Sequence, residues 1–182
     1  MRAWLARSGA GLLAEAPEVT AGLLAAAQQA RGYGGSAEQQ GAWQSQIATL
    51  RAAIQAVDGE AWTVALEYDL LRLETRADAV LLTDRAILVL EYKTPDASPA
   101  ARAEAEDYAL DLRDFHAASR AHPIVPVLVS GGARFEVPAE PPLFWHGVVP
   151  PLACGPQDLP DLLRWVQARA PAGPPLDGDA WL

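Results

Sequence analysis

Of the 14 basic residues in this 182-residue chain, 13 are arginine and one is lysine, Lys93. Arginine and lysine are not interchangeable where a compact, titratable ammonium is needed. Lys93 closes the segment Ile87-Leu-Val-Leu-Glu-Tyr-Lys93, two residues after Glu91, and twelve residues separate Asp78 from Glu91. Side chains alternate faces along a strand, so Glu91 and Lys93 project together from the end of an apolar segment. The short link Thr83-Asp84-Arg85 forces a tight turn, and a hairpin folded about it sets Asp78 across from Glu91. Two neighbouring carboxylates repel unless a hard cation lies between them. Mg²⁺ suits such a pair because it takes one or two carboxylates and keeps several waters. A water on such a cation can attack a phosphodiester, with Lys93 positioning or deprotonating it and stabilising the developing charge. The plainer alternative is an exposed Glu-Lys pair at a strand end.

Other residues can join this set. Glu67 stands at the end of an earlier β-rich segment and can supply a further metal or water ligand, or simply pair with an arginine. Arg76 shares a predicted face with Asp78 and Val80, where it contacts phosphate or pairs with Glu67 or Glu91. Arg72 and Arg102 are further candidates for phosphate contact. His116 reads as a satisfied structural histidine. Tyr108 and Phe115 lie on an apolar stripe and read as core, while Trp145 and Trp165 read as core or domain contacts. His122, His146 and Cys154 lack metal-ligand spacing. No Ser-His-Asp arrangement is present.

The elements that must position these groups follow from periodicity. Residues 3–30 are rich in Ala and Leu and predict one or two helices docked on the outside. Arg31-Gly-Tyr-Gly-Gly35 reads as a loop. Ser36 with Gln39 predicts a capping box, opening an amphipathic helix on which Trp43, Ile47, Leu50 and Ile54 recur. Residues 62–71, 76–83 and 86–93 are strands, the last two a hairpin. The loop Thr94–Pro99 precedes a long helix with Ala101, Ala105, Tyr108, Leu112, Phe115 and Ser119 on one stripe. A buried strand follows at 123–129, then a proline-rich stretch, a helix at 158–169 and a Pro/Gly-rich tail. The predicted fold is α/β in the order α-β-β-β-α-β, a mixed, mainly antiparallel sheet of four to five strands between helices, with extra helices at both ends. The predicted division is an N-terminal helical extension over 1–35, the main domain over 36–170 and a linker-like tail over 171–182.

Composition narrows the function. The net charge of −9 excludes a protein that coats nucleic acid by charge alone. One cysteine, Cys154, excludes a disulfide framework. No apolar run reaches the length of a membrane span and no secretory leader is read, so a cytoplasmic protein is expected.

The pattern Asp78…Glu91-Tyr92-Lys93 within this order of elements resembles the PD-(D/E)XK nuclease superfamily. A longer string carries a closer likeness: Glu67-Tyr68, Arg76-Ala-Asp78-Ala-Val80, Val89-Leu-Glu91-Tyr-Lys93, Asp107-Tyr-Ala-Leu-Asp-Leu-Arg-Asp-Phe-His116, Pro123-Ile-Val-Pro-Val-Leu128 and Leu176-Asp-Gly-Asp-Ala-Trp181. Together these are similar to the N-terminal region of bacterial Schlafen-like (group 3) DNA/RNA helicase proteins. The resemblance implies a restriction-endonuclease-like nuclease domain whose metal (Mg²⁺ or Mn²⁺) is held by Asp78 and Glu91. It also implies DNA or RNA as partner and a setting in defence or nucleic-acid processing beside a helicase motor. Two departures stand out. Glu104 occupies a position where family members often carry Gln, and as a third carboxylate it adds a metal contact or repels phosphate. The phosphate loop of a motor is absent from these residues, so the chain is a piece of a longer protein or a stand-alone relative. A second reading keeps the fold but makes it an interaction module that docks a motor or partner protein, and a third is an acidic nucleic-acid mimic.

Overall fold

The computed structural model describes residues 2–70, 72, 74–94, 98–140, 142–144, 147–174 and 176–182. Leu71, the 95–97 part of the predicted loop, Trp145 and His146 lie outside the described residues. Six strands form one sheet in chain order: β1 (Ala3–Ser8), β2 (Thr63–Leu70), β3 (Thr75–Leu82), β4 (Ile87–Lys93), β5 (Ile124–Ser130) and β6 (Leu152–Cys154). The first four pair antiparallel, and β4, β5 and β6 pair parallel. The chain is therefore α/β with a mixed, open sheet.

Among the described residues, six α-helices cover the two faces: α1 (Gly9–Ala14), α2 (Pro17–Ala30), α3 (Ala37–Ala56), α4 (Pro99–Phe115), α5 (Leu159–Arg169) and α6 (Gly178–Trp181). One core joins Leu12, Leu24, Trp43, Ile47, Leu50 and Leu163 to sheet residues such as Leu66, Leu81 and Leu88. The other packs Tyr108, Ala109, Leu112 and Trp181 against Ala65, Val80, Val89 and Ile124. Residues 87–90 of β4 are wholly buried, as a strand covered on both faces must be. Ser36 caps α3 by accepting from the Gln39 N–H at 3.1 Å. The capping box is only half made, because the Gln39 side chain accepts from Gln28 Nε2 at 2.9 Å instead. Ser98 caps α4, with Pro99 in its first turn.

The sheet has six strands rather than the expected four to five and opens with a strand, and two segments differ from expectation. Residues 3–8 form β1, an edge strand on β2, rather than the start of a helix. The local Ala/Leu content favours helix, but an exposed edge of β2 offers a full ladder, and tertiary pairing overrides propensity. The tail also does not trail away as a linker would. It ends in α6, where Trp181 is 2% exposed. Its ring lies 4.9 Å from Tyr68 and 4.5 Å from His116, and its Nε1 donates to Ser119 Oγ at 2.9 Å. Among the described residues, no helix is long and apolar enough to cross a membrane.

Candidate active site

The β3–β4 hairpin turns tightly, with the Thr83 hydroxyl donating to the Ala86 carbonyl and accepting from the N–H groups of Arg85 and Ala86. The ladder pairs Val80 with Val89 and Ala79 with Leu90. One further step along this register sets Asp78 opposite Glu91, where the sequence places it. Here the ladder gives way to a side-chain bond: Asp78 Oδ2 accepts the Tyr92 N–H at 2.7 Å. On the other side of β3, the pairs Leu66–Ala79 and Tyr68–Ala77 bracket Glu67 and Asp78. Glu67, Asp78 and Glu91 thus form a row of carboxylates across three adjacent strands.

The strands change phase at this row. Leu66 and Ala79 belong to one core, whereas Tyr68 and Ala77, two residues along, belong to the other. On β2 the change coincides with Glu67, whose φ of 51° lies in the left-handed region. A non-glycine residue held there costs about 1–3 kcal/mol, and such strain collects at functional sites. Alternation therefore fails as a guide to faces. Arg76 and Val80 do not share a face, contrary to expectation: Val80 packs beneath α4, while the Arg76 guanidinium lies 4.2 Å from the Trp4 ring on the other side. Glu67 is anchored on both oxygens, by Trp43 Nε1 at 2.7 Å and by Arg76 Nε at 2.8 Å.

Glu91 is 5% exposed. Its Oε1 meets Lys93 Nζ at 2.8 Å, and its Oε2, fully buried, has no hydrogen-bond partner among the described residues. Lys93 also meets Glu104 Oε2 at 2.8 Å. Glu104 Oε1 accepts from the Tyr108 hydroxyl at 2.8 Å, and that hydroxyl lies 3.1 Å from Thr75 Oγ1. A chain of polar contacts thus runs from β4 through α4 to the start of β3.

The electrostatics follow from burial. Desolvation, then the charge of Glu91, pushes Asp78 well above the usual carboxylate range. Desolvation raises Glu91 to about 7 in spite of Lys93. Burial alone would lower Lys93, but its bonds to Glu104 and Glu91 outweigh this and hold the ammonium above its usual range. Those two bonds favour the charged ammonium. The bond to Lys93 also holds Glu104 below the usual range.

This donor set fits a hard divalent cation. Two oxygen-bearing side chains stand side by side at a cost in repulsion, and one buried oxygen is left without a donor, a deficit that a cation removes. No group of three acidic, histidine or cysteine side chains gathers as a ready metal cage among the described residues. Mg²⁺ does not require one, since it binds through one or two carboxylates and keeps its waters.

The remaining predicted residues are placed as follows. Glu104 serves as the anchor of Lys93. Arg72 lies 4.0 Å over the Phe115 ring at the far end of α4 from Glu104. Arg102 is exposed and lines a separate groove with Arg134 and Phe135. Phe115 is 48% exposed rather than core, because the apolar stripe runs past the sheet there. Tyr108 is buried as expected. His116 is satisfied structurally, its Nδ1 lying 2.8 Å from Ser119 Oγ. Trp165 is core, packed on Phe135 and Phe144. Cys154 is buried, and burial pushes its thiol up to about 12.

Sequence reasoning missed Trp43, Thr75 and the polar role of Tyr108. Only Tyr108 carried a local signal, since it stands one helical turn after Glu104. Trp43→Phe removes the donor to a buried carboxylate oxygen. It is expected to destabilise the protein by about 1–2 kcal/mol, read as a lower denaturant midpoint at unchanged slope.

Comparison of the chain with protein-family models, with curated proteins and with solved structures found no match.

Proposed function

We propose that this chain is a metal-dependent nuclease of the PD-(D/E)XK type, with a restriction-endonuclease-like core, hydrolysing phosphodiesters of DNA or RNA. The observation that carries the reading is Glu91, across the hairpin from Asp78: its buried Oε2 has no hydrogen-bond partner among the described residues, and its Oε1 meets the lone lysine. Asp78 and Glu91 would hold Mg²⁺ or Mn²⁺. When bound, such an ion supplies charge neutralisation at a phosphoryl oxygen and a lowered pKa for water.

The chain's own residues do the rest. Lys93, kept protonated and held by Glu91 and Glu104, presents a fixed ammonium to the developing negative charge. Tyr108 and Thr75 fix Glu104, which fixes Lys93. The Tyr92 N–H orients Asp78. Glu67 holds Arg76 over the Trp4 ring. The setting beside a helicase motor in bacterial defence or nucleic-acid processing belongs to the same proposal and rests on the sequence resemblance.

The net charge of −9 favours a second reading, an interaction module that keeps the fold without cleaving. A cleavage assay on single- and double-stranded DNA and RNA separates the two. The nuclease reading requires turnover with Mg²⁺ or Mn²⁺ that stops on chelation. Absence of turnover on every substrate with both ions favours the module.

A further inference from the structure

An aromatic and cationic stack borders the acidic row. Gly32, with φ of 82°, ends α2 in the left-handed conformation that glycine tolerates, and the chain then turns out into the loop that carries Tyr33. The Tyr33 ring stacks on Trp4, with centroids 5.9 Å apart and planes 21° from parallel. Trp4 is buried and braced edge-on by Trp43 at 6.4 Å. Arg76 covers the Trp4 ring at 4.2 Å and reaches the Tyr33 ring at 5.7 Å, while its Nε is held by Glu67. Tyr33 nevertheless stays 55% exposed. It opens on a cleft of about 480 Å³ lined by Tyr33, Asp69, Leu70, Glu74, Thr75 and Arg76. Two of those walls connect by hydrogen bonds to residues of the proposed active site: Arg76 to Glu67, and Thr75 through Tyr108 to Glu104.

We infer that Tyr33 is a stacking platform for an unpaired nucleobase and that the substrate is therefore single-stranded nucleic acid. The inference rests on the nuclease reading and narrows it. A large aromatic that is backed by a buried tryptophan and still more than half exposed is a rigid surface with an open side. Bases stack on such surfaces irrespective of sequence, because every base has a π face. A base inside a duplex has both faces covered and cannot reach the ring unless it is extruded. The charge of the cleft points the same way. Asp69 and Glu74 outnumber Arg76, so the walls suit the amino edge of a base, which donates hydrogen bonds to carboxylates, better than a phosphate. With a net charge of −9 few phosphates can be neutralised, and stacking supplies affinity that the charge does not.

The test uses the full chain carrying Lys93→Ala, with Mg²⁺ present, and short labelled oligonucleotides: single-stranded DNA, single-stranded RNA and the matching duplexes. Adding Tyr33→Ala is expected to weaken single-strand binding by about 5- to 150-fold and to leave duplex binding little changed. Adding Tyr33→Phe keeps the ring and is expected to leave affinity close to that of the parent. The DNA and RNA arms report which sugar the cleft accepts. Equal single-strand affinity of Tyr33→Ala and its parent overturns the inference, as does an equal loss for the alanine and phenylalanine variants or a preference for duplex. Cleavage by the otherwise wild-type chain is followed in parallel. If that chain cleaves and Tyr33→Ala binds and cleaves as well as its parent, the stacking inference alone fails. If it cleaves nothing, the nuclease reading fails with it.

Discussion

Lys93→Ala is expected to reduce cleavage by about 10²–10³-fold, the usual loss when one preorganised donor to a developing charge is removed. Lys93→Arg is expected to fall to the same level. Lys93 Nζ sits 2.8 Å from both Glu91 Oε1 and Glu104 Oε2, a spacing set for a compact ammonium. A planar guanidinium is larger, spreads its charge and pairs with carboxylates through a two-pronged fork. It would bridge the two glutamates and displace the donor from its place. The reason is geometric, because the two carboxylates already hold Lys93 charged and leave no titration for arginine to lack. The fold is expected to survive both changes, since Lys93 ends β4 and is half-buried. Steady-state rates of the three proteins, with far-ultraviolet circular dichroism as the folding control, measure this. An arginine variant that cleaves near the wild-type rate would remove Lys93 from the role assigned to it.

The metal-free protein is expected to lose stability as pH rises, the opposite of ordinary acid denaturation. Glu91 is raised from 4.5 to about 7, and Asp78 is also raised, both chiefly by burial. Groups with raised folded-state pKa values bind more protons folded than unfolded. Their stabilisation is full below the unfolded value and is lost as pH climbs through the folded one. The window for Glu91 is therefore about pH 4.5 to 7, and the loss across it is on the order of 3 kcal/mol. Asp78→Asn keeps an oxygen to accept the Tyr92 N–H but cannot ionise. It is expected to flatten part of the decline and to be more stable than wild type above pH 7, while losing cleavage. Denaturant midpoints across the pH range, without divalent ions, measure the effect. A wild-type profile that rises through the window would show that burial does not hold these carboxyls above their usual range.

The same contrast explains what could be read from the sequence. The hairpin register was legible because Thr83-Asp84-Arg85 leaves no slack, so the pairing of Asp78 with Glu91 follows from the turn alone. The stripes of α3 and α4 were legible because Trp43, Ile47, Leu50 and Ile54, and Ala101, Ala105, Tyr108 and Leu112, repeat at helical spacing and are all buried. β1 was not legible, because its ladder partner lies some sixty residues away and its own composition favours helix. Nor was the phase change at Glu67, since nothing in a glutamate announces a positive φ. The placing of Arg76 on Trp4, away from Val80, likewise has no local trace. The bond from Trp43 to Glu67 joins α3 to β2 across the core and has no local trace. Trp181 was legible as a residue but not as an anchor, because the prolines and glycines before it resemble a linker.

The most direct measurement is titration calorimetry of the metal-free chain with Mn²⁺, comparing wild type with Asp78→Asn and Glu91→Gln. If Asp78 and Glu91 jointly hold one divalent cation, the wild type binds a single ion per chain and each variant loses that event, while Tyr33→Phe keeps it. Binding that persists undiminished in both carboxylate variants, or a wild type that binds no ion, would contradict the assignment of this acidic row as a metal-dependent active site.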